Sequence, residues 1–124
     1  MDIYDWDKTT AEEITESYLR KVAVGENILV ARVEVKEGAV TNLHHHDNEE
    51  MIVVLTGSWR FNLPGGPVTL SANQVLNIPP GVEHSSEALA DTVALDICAP
   101  ARPDWLSGED GPLHSDPDQS LWAV

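Results

Sequence analysis

The sequence predicts an all-β fold, a sandwich or barrel built from short antiparallel strands. Two patterns support this prediction: short runs of β-branched and apolar residues recur along the chain, and Pro, Gly and Asn punctuate the intervals between them. The chain has 124 residues, of which 42% are hydrophobic, so it is long enough for one packed domain and too short for two of ordinary size. We therefore expect a single fold.

The predicted elements begin with a short N-terminal helix or turn. Thr10 stands three residues ahead of Glu13, which is a capping-box pattern, and we assign residues 1–18 to an N-terminal segment. A barrel of strands follows in residues 19–98. In chain order the predicted strands are "ILVARVEV" (28–35), "AVTNLHHH", "MIVVLTG", "SWRFNL", "VTLSA", "VLNIP", "EHSSEAL" and "TVALDICA".

The composition changes after residue 98. Residues 99–124 are rich in Pro, Asp, Ser and Gly and show no strand periodicity, which predicts an irregular C-terminal tail. The tail contains Trp105 and Trp122, and a wholly disordered segment seldom contains two tryptophans. We therefore expect the tail to pack on the barrel or on a partner.

Charge and composition exclude several classes of partner. The chain has 7 Lys and Arg against 21 Asp and Glu, a net charge of -14, and such a surface repels phosphate backbones, so we expect no nucleic-acid partner. No apolar run is long enough to span a membrane, and no basic start followed by an apolar block marks a secretory signal. Cys98 is the only cysteine, which excludes an internal disulfide and fits a reducing compartment. The expected location is the cytoplasm.

The stretch "NLHHHDNEEM" (42–51) concentrates metal-binding side chains ahead of the apolar run "MIVVL". Alternate side chains of a strand share a face, so His44 and His46 are expected to point one way and His45 the other. Glu50 opens the apolar strand on the face that enters the core. A carboxylate there needs a positive partner, and a divalent metal held by the two histidines would supply one.

A fourth ligand has to come from another segment. His84 follows the Pro-Pro-Gly turn of "PPGVEHSS", which would fix its approach to the site. Three imidazoles and one carboxylate suit one divalent transition metal, Zn, Fe, Ni or Mn, better than Ca or Mg. The alternative is that the three adjacent histidines form a solvated loop with Glu49 and Glu50 as its acidic flank.

The wider spacing of these residues resembles the cupin superfamily. Residues 38–57 read G-x5-H-x-H-x3-E-x6-G and residues 79–84 read P-x-G-x2-H, which are the two motifs of that superfamily. The resemblance covers roughly residues 19–98 and implies a single jelly-roll β-barrel that holds one metal through His44, His46, Glu50 and His84. Asn73 and Ala88 depart from the second motif, outside the ligand set. Single-barrel cupins commonly dimerise through their sheets, so the resemblance also implies a homodimer.

The last predicted strand places a second carboxylate on the inner face. In "TVALDICA" the aliphatic residues share one face and the small or polar residues share the other: Val93, Leu95 and Ile97 against Thr92, Ala94, Asp96 and Cys98. We expect the second set to line a cavity. Asp96 then either pairs structurally with a group such as an arginine or serves as an acid or base, and the pattern leaves both open.

The run "ALDICAPARPDWL" resembles the ending of the small pectin-degradation cupins, which open unsaturated uronates to linear keto sugars. That resemblance implies that Asp96 transfers a proton and that Arg102 clamps a substrate carboxylate. Two positions depart from the pattern. Cys98 replaces an aromatic residue, and Glu50 replaces the Gln that many of these enzymes use as a metal ligand. Glu50 instead gives the three-His, one-Glu set of iron-dependent cupin dioxygenases.

Three functions follow from these patterns. The leading hypothesis is a metal-dependent enzyme of the isomerase or lyase type. Its substrate would be small, carboxylated, enolisable and uronate-like, and the reaction would be a proton transfer with ring opening or an isomerisation. The second is an Fe(II)-dependent dioxygenase of a small organic compound, and the third is a non-catalytic cupin that binds a small molecule. Trp59, Phe61 and Cys98 are candidate substrate-binding residues beside Arg102, and core packing is the other interpretation of the two aromatic side chains.

Overall fold

The computed structural model describes residues 1–101 of the chain. Within that range it contains one 3-10 turn, Trp6–Lys8, and ten strands. The strands are β1 (Glu12–Thr15), β2 (Tyr18–Val24), β3 (Leu29–Val35), β4 (Val40–His44), β5 (Glu49–Thr56), β6 (Ser58–Leu63), β7 (Gly66–Ser71), β8 (Val75–Ile78), β9 (His84–Ala88) and β10 (Thr92–Ala99). No helix among the described residues is long and apolar enough to cross a membrane. The all-β class predicted from the sequence is confirmed.

The strands form two antiparallel sheets. The six-stranded sheet has the order β1-β2-β3-β10-β5-β8, and the four-stranded sheet has the order β4-β9-β6-β7. Strands that are consecutive in the chain often lie in different sheets, as β4 and β5 do, and β9 and β10. The chain therefore crosses repeatedly between the sheets, which is the jelly-roll arrangement.

The core lies between the two sheets, and the two-residue alternation of each strand decides which side chains enter it. On β10 the small and polar set is buried and the aliphatic set is half-buried on the outer face: Thr92, Ala94, Asp96 and Cys98 against Val93, Leu95 and Ile97. Strand β5 buries Glu50, Ile52 and Val54 in the same way. This is the division that the sequence predicts, and it brings two carboxylates into the interior.

The helix predicted from the capping-box pattern at Thr10 is wrong. Residues Glu12–Thr15 form β1, which pairs with β2, and Ile14 is completely buried. A short isolated helix is marginal in water, so pairing with the sheet and burial of an isoleucine outweigh a local capping preference. The only helical turn of the described residues lies upstream, where the Asp5 side chain accepts a hydrogen bond from the Asp7 amide at 2.9 Å.

Five described residues have a positive φ, and Gly57 and Asn73 are two of them. Gly57, between β5 and β6, has a φ of 100°, and a Cβ atom there would lie 2.4 Å from the Asp91 carbonyl oxygen. Asn73 has a φ of 72° at a position where the second cupin motif has glycine. Asparagine adopts this conformation more readily than most residues, so the turn is kept despite the departure from the motif.

Candidate metal centre

The three predicted histidine ligands lie together in the interior. His44 ends β4 and His84 begins β9, and the two residues are directly opposite each other in the antiparallel ladder. His46 lies two residues beyond the end of β4 on the same side as His44, whereas His45 is exposed. The exposed fractions of His44, His46 and His84 are 7%, 2% and 3%, so these rings are not part of a solvated loop.

Backbone carbonyl groups orient all three imidazole rings. The Nδ1 atoms of His44, His46 and His84 lie 2.7, 3.0 and 2.9 Å from the carbonyl oxygens of Asn42, Asn48 and Val82, respectively. A carbonyl oxygen only accepts hydrogen bonds, so each Nδ1 carries a proton and donates it. In the neutral ring Nε2 then offers a lone pair, which is the arrangement that orients histidine ligands in metal sites.

The Nε2 atoms of His46 and His84 lie beside the Glu50 carboxylate. Glu50 Oε1 lies 3.0 Å from His46 Nε2 and 3.3 Å from His84 Nε2. The potential ligand atoms of the three histidines all lie within 4.8 Å of one another. Lone pairs and a carboxylate oxygen that point at one region repel each other unless a cation or a proton lies between them. The three histidines therefore form a group that could hold a divalent transition metal, and the Glu50 carboxylate lies beside two of them.

Burial and hydrogen bonding determine the charges of these ligands. Burial, followed by the nearby charge of His84, lowers the pKa of His44 to about 3, so that its ring is neutral near pH 7. Burial acts to raise the pKa of Glu50, but hydrogen bonds with Asp96, His46 and His84 hold that pKa well below its ordinary value. A neutral imidazole and an ionised carboxylate are the forms that bind metal.

The candidate acid-base residue contacts a candidate metal ligand. The Asp96 carboxyl group on β10 shares a hydrogen bond with the Glu50 carboxyl group. A hydrogen bond between two carboxyl groups requires one proton, which the two groups share. The Cys98 thiol points back at Asp96 with its Sγ 3.8 Å from Oδ1. The ladder also sets Cys98 directly opposite Glu50, so the three side chains form a second buried group of potential ligand atoms.

His44, Glu50, His84 and Asp96 line a cavity of about 30 Å³. Its lining residues are Tyr18, Thr41, His44, Glu50, Ile52, Trp59, Phe61, His84, Ser86 and Asp96. The Trp59 and Phe61 rings, with centroids 4.8 Å apart, belong both to this lining and to the buried core. Cys98 is buried but does not belong to the lining. A volume of this size holds about two water-sized groups, so the cavity accepts a small ligand or one end of a larger one.

Sequence reasoning missed two buried residues of β2, Tyr18 and Arg20. Tyr18 lines the cavity, and Arg20 is completely buried with its Nε and Nη2 atoms 3.1 and 3.0 Å from Glu12 Oε1. The available signal was the alternation in "SYLRKVAV", in which Tyr18, Arg20 and Val22 share a face. Arg102, which the sequence predicts to clamp a substrate carboxylate, lies outside the described residues, as do Trp105 and Trp122.

The fold and the site together define a cupin. The family model described as "Cupin domain" matches residues 31–98, more than half of the chain, and the chain therefore belongs to the cupin family. The matched segment contains all four candidate metal ligands. No curated protein sequence matches the chain.

Solved structures show the same fold at low sequence identity. An RmlC-like cupin from Shewanella frigidimarina has a TM-score of 0.79 at 22% identity, covering 85% of this chain and 96% of that one. KdgF from Halomonas sp. has a TM-score of 0.79 at 23% identity, covering 84% of this chain and 99% of that one. Oxalate decarboxylase of Bacillus subtilis, which has Mn(II) centres, has a TM-score of 0.70 at 16% identity, covering 87% of this chain and 36% of that one.

Proposed function

We propose that the protein is a metal-dependent enzyme that transfers a proton within a small carboxylated, enolisable, uronate-like substrate, in a ring-opening or isomerisation reaction. The observation that carries this proposal is the hydrogen bond between Asp96 and Glu50 in a cavity that His44 and His84 also line. This contact supports the proposal because a carboxyl pair that shares a proton would lie beside the expected metal position, and proton transfer by a positioned side chain needs this proximity.

The proposed roles divide between holding the metal and moving the proton. His44, His46, Glu50 and His84 would hold a divalent metal, which when bound supplies a Lewis acid that polarises a carbonyl or hydroxyl oxygen. Asp96 would deliver its proton to the carbon next to that oxygen or withdraw it. Glu50 would keep the Asp96 carboxyl oriented, because the two groups share a hydrogen bond.

The rest of the substrate would contact the cavity walls and the start of the tail. Trp59 and Phe61 offer an apolar wall beside the carboxyl groups. Arg102 remains the proposed clamp for the substrate carboxylate, on the resemblance of "ALDICAPARPDWL" to the pectin-degradation cupins, whereas Cys98 would act on the substrate only through Asp96. Because the cavity measures about 30 Å³, only the reacting end of a uronate would enter it.

The proposal predicts that Asp96→Asn abolishes turnover and leaves the metal bound. We expect kcat on an unsaturated uronate to fall at least about 100-fold, since the amide cannot exchange a proton with substrate carbon. The assay follows the loss of the ultraviolet absorbance of the conjugated double bond, with metal content measured on the same sample. Asp7→Asn, an exposed position outside the barrel, is the matched control. Unchanged kcat in Asp96→Asn would remove Asp96 from the mechanism.

A second candidate function is an Fe(II)-dependent dioxygenase of a small organic compound. The observation that favours it is the ligand set itself, three imidazoles and a carboxylate, with a cavity whose small volume suits a diatomic ligand. Iron-loaded protein would then consume dissolved oxygen when substrate is added, as an oxygen electrode measures. Turnover of a uronate at the same rate under nitrogen excludes this candidate, and saturable binding with no product in either assay leaves a binding protein.

A further inference from the structure

Tyr18 presents a polar group to the metal cavity that neither the metal site nor the proposed proton transfer uses. It begins β2, on the six-stranded sheet, and its side chain is only 7% exposed. It lines the cavity together with His44, Glu50, His84 and Asp96. The phenol is therefore enclosed beside the groups that would carry out the chemistry.

The hydroxyl group of Tyr18 forms no hydrogen bond with any residue in the range 1–101. Other polar groups of the lining are satisfied: the Thr41 and Ser86 hydroxyls lie 2.6 Å apart and bond each other, and His84 Nδ1 donates to a backbone carbonyl. Buried hydroxyl groups are normally paired because an unpaired one loses its hydrogen bonds to water on folding. A hydroxyl group of a cavity-lining residue that bonds no residue in this range is available to donate to the acceptor atom of a bound ligand.

The surroundings keep this hydroxyl in its protonated form. Burial raises the pKa of Tyr18, and the nearby Asp96 carboxyl group raises it further, against the opposing effect of Arg20. The phenol is thus neutral near pH 7. It can donate a hydrogen bond to a ligand oxygen without adding a negative charge to a cavity that already holds Glu50 and Asp96.

We propose that the Tyr18 hydroxyl is a substrate-binding group, which donates a hydrogen bond to a carbonyl or carboxylate oxygen of a small 2-oxo acid or related carboxylate bound at the metal. The inference rests on the proposed function in placing the ligand at the metal, but it does not require turnover. The protein should therefore select among ligands of the metal, because a ligand without an oxygen acceptor near Tyr18 would form no hydrogen bond with its hydroxyl group.

The test compares ligand affinities of Co(II)-loaded protein in the wild type and in Tyr18→Phe, using the visible absorption band of the metal. Pyruvate serves as the oxygen-bearing probe, and cyanide serves as a small metal ligand without oxygen. We expect Tyr18→Phe to bind pyruvate roughly ten-fold more weakly, which corresponds to about 1.4 kcal/mol, with unchanged cobalt content and unchanged cyanide affinity. Tyr4→Phe is the matched control, because Tyr4 is the only other tyrosine and lies outside the cavity.

A second readout separates binding from a structural role. In the metal-free protein Tyr18→Phe removes a hydroxyl group that bonds no residue in the range 1–101, so its thermal midpoint should equal or exceed that of the wild type. Any of four results would overturn the proposal. Tyr18→Phe could have a lowered thermal midpoint, bind pyruvate within about two-fold of the wild type, or bind cyanide and pyruvate equally more weakly. The fourth result is a wild type that binds cyanide but not pyruvate. The two proposals can fail separately. If pyruvate binding depends on Tyr18 but turnover does not depend on Asp96, the proposed proton transfer is contradicted and the Tyr18 assignment stands.

Discussion

The two sheets contribute different chemistry to one cavity. The four-stranded sheet and the loop that leaves it supply the nitrogen ligands, His44 on β4, His84 on β9 and His46 just beyond β4. The six-stranded sheet supplies the acidic groups, Glu50 on β5, Asp96 on β10 and Tyr18 on β2. The site therefore has a basic wall and an acidic wall.

The two walls also differ in what holds their side chains in place. Each imidazole donates to a main-chain carbonyl, so its orientation is fixed by the backbone and does not depend on the other ligands. The carboxyl groups hold each other, through a hydrogen bond between Asp96 and Glu50 that requires a proton. We infer that the basic wall is organised for the metal in advance, whereas the acidic wall changes when its proton moves.

The largest effect should come from removing a ligand of the basic wall. In His84→Ala we expect metal affinity to fall by about 100-fold or more, so that a protein holding one metal per chain retains almost none after dialysis. Metal analysis of untagged protein measures this directly. His45→Ala is the matched control, because His45 is exposed and adjacent to the ligands.

Asp96→Asn sharpens the comparison, since it changes the acidic wall alone. It should keep its metal, because Asp96 contacts a ligand and is not part of the proposed ligand set. Equal metal loss in His84→Ala and Asp96→Asn would mean that the two walls are not separable. Undiminished metal in His84→Ala, or no metal in the wild type after reconstitution, would contradict the four-ligand site.

The next effect tests the junction between the sheets. Gly57 lies where the chain leaves β5 of one sheet for β6 of the other, with a φ of 100° and no space for a Cβ atom beside the Asp91 carbonyl and the Thr92 hydroxyl. Gly57→Ala should lower the free energy of unfolding by about 3 kcal/mol, measured by urea denaturation. Gly65→Ala is the control, because a Cβ atom there would meet nothing within 4 Å. Similar stabilities of the two variants would show that the strain is relieved locally.

The sequence predicted which histidine and carboxyl side chains are buried, and it did not predict β2. Two-residue alternation places His44 and His46 on one face, and it places Glu50 on the buried face of β5. Strand β2 was not recognised because Arg20 occupies an inward position, and arginine is rarely buried. Its burial depends on Glu12 of β1, a contact between two strands that no pattern within either strand encodes. Tyr18 was missed with its strand.

The smallest effect is the change in the stability of the metal-free protein over one pH unit. His44 has a pKa of about 3 in the folded chain against 6.5 for an ordinary histidine, so the unfolded chain binds more protons between these values. Stability is therefore complete above about pH 6.5 and falls as the pH is lowered, by about 1 kcal/mol per pH unit from this residue. Glu50, whose pKa is also lowered, adds to the loss only below its ordinary value of 4.5. Urea denaturation of chelator-treated protein at several pH values measures the slope, and His45→Gln should leave the slope unchanged.

A flat stability profile between pH 6.5 and 5 would mean that the His44 ring is already protonated in the folded metal-free chain. The basic wall would then be less rigidly organised than the carbonyl contacts indicate.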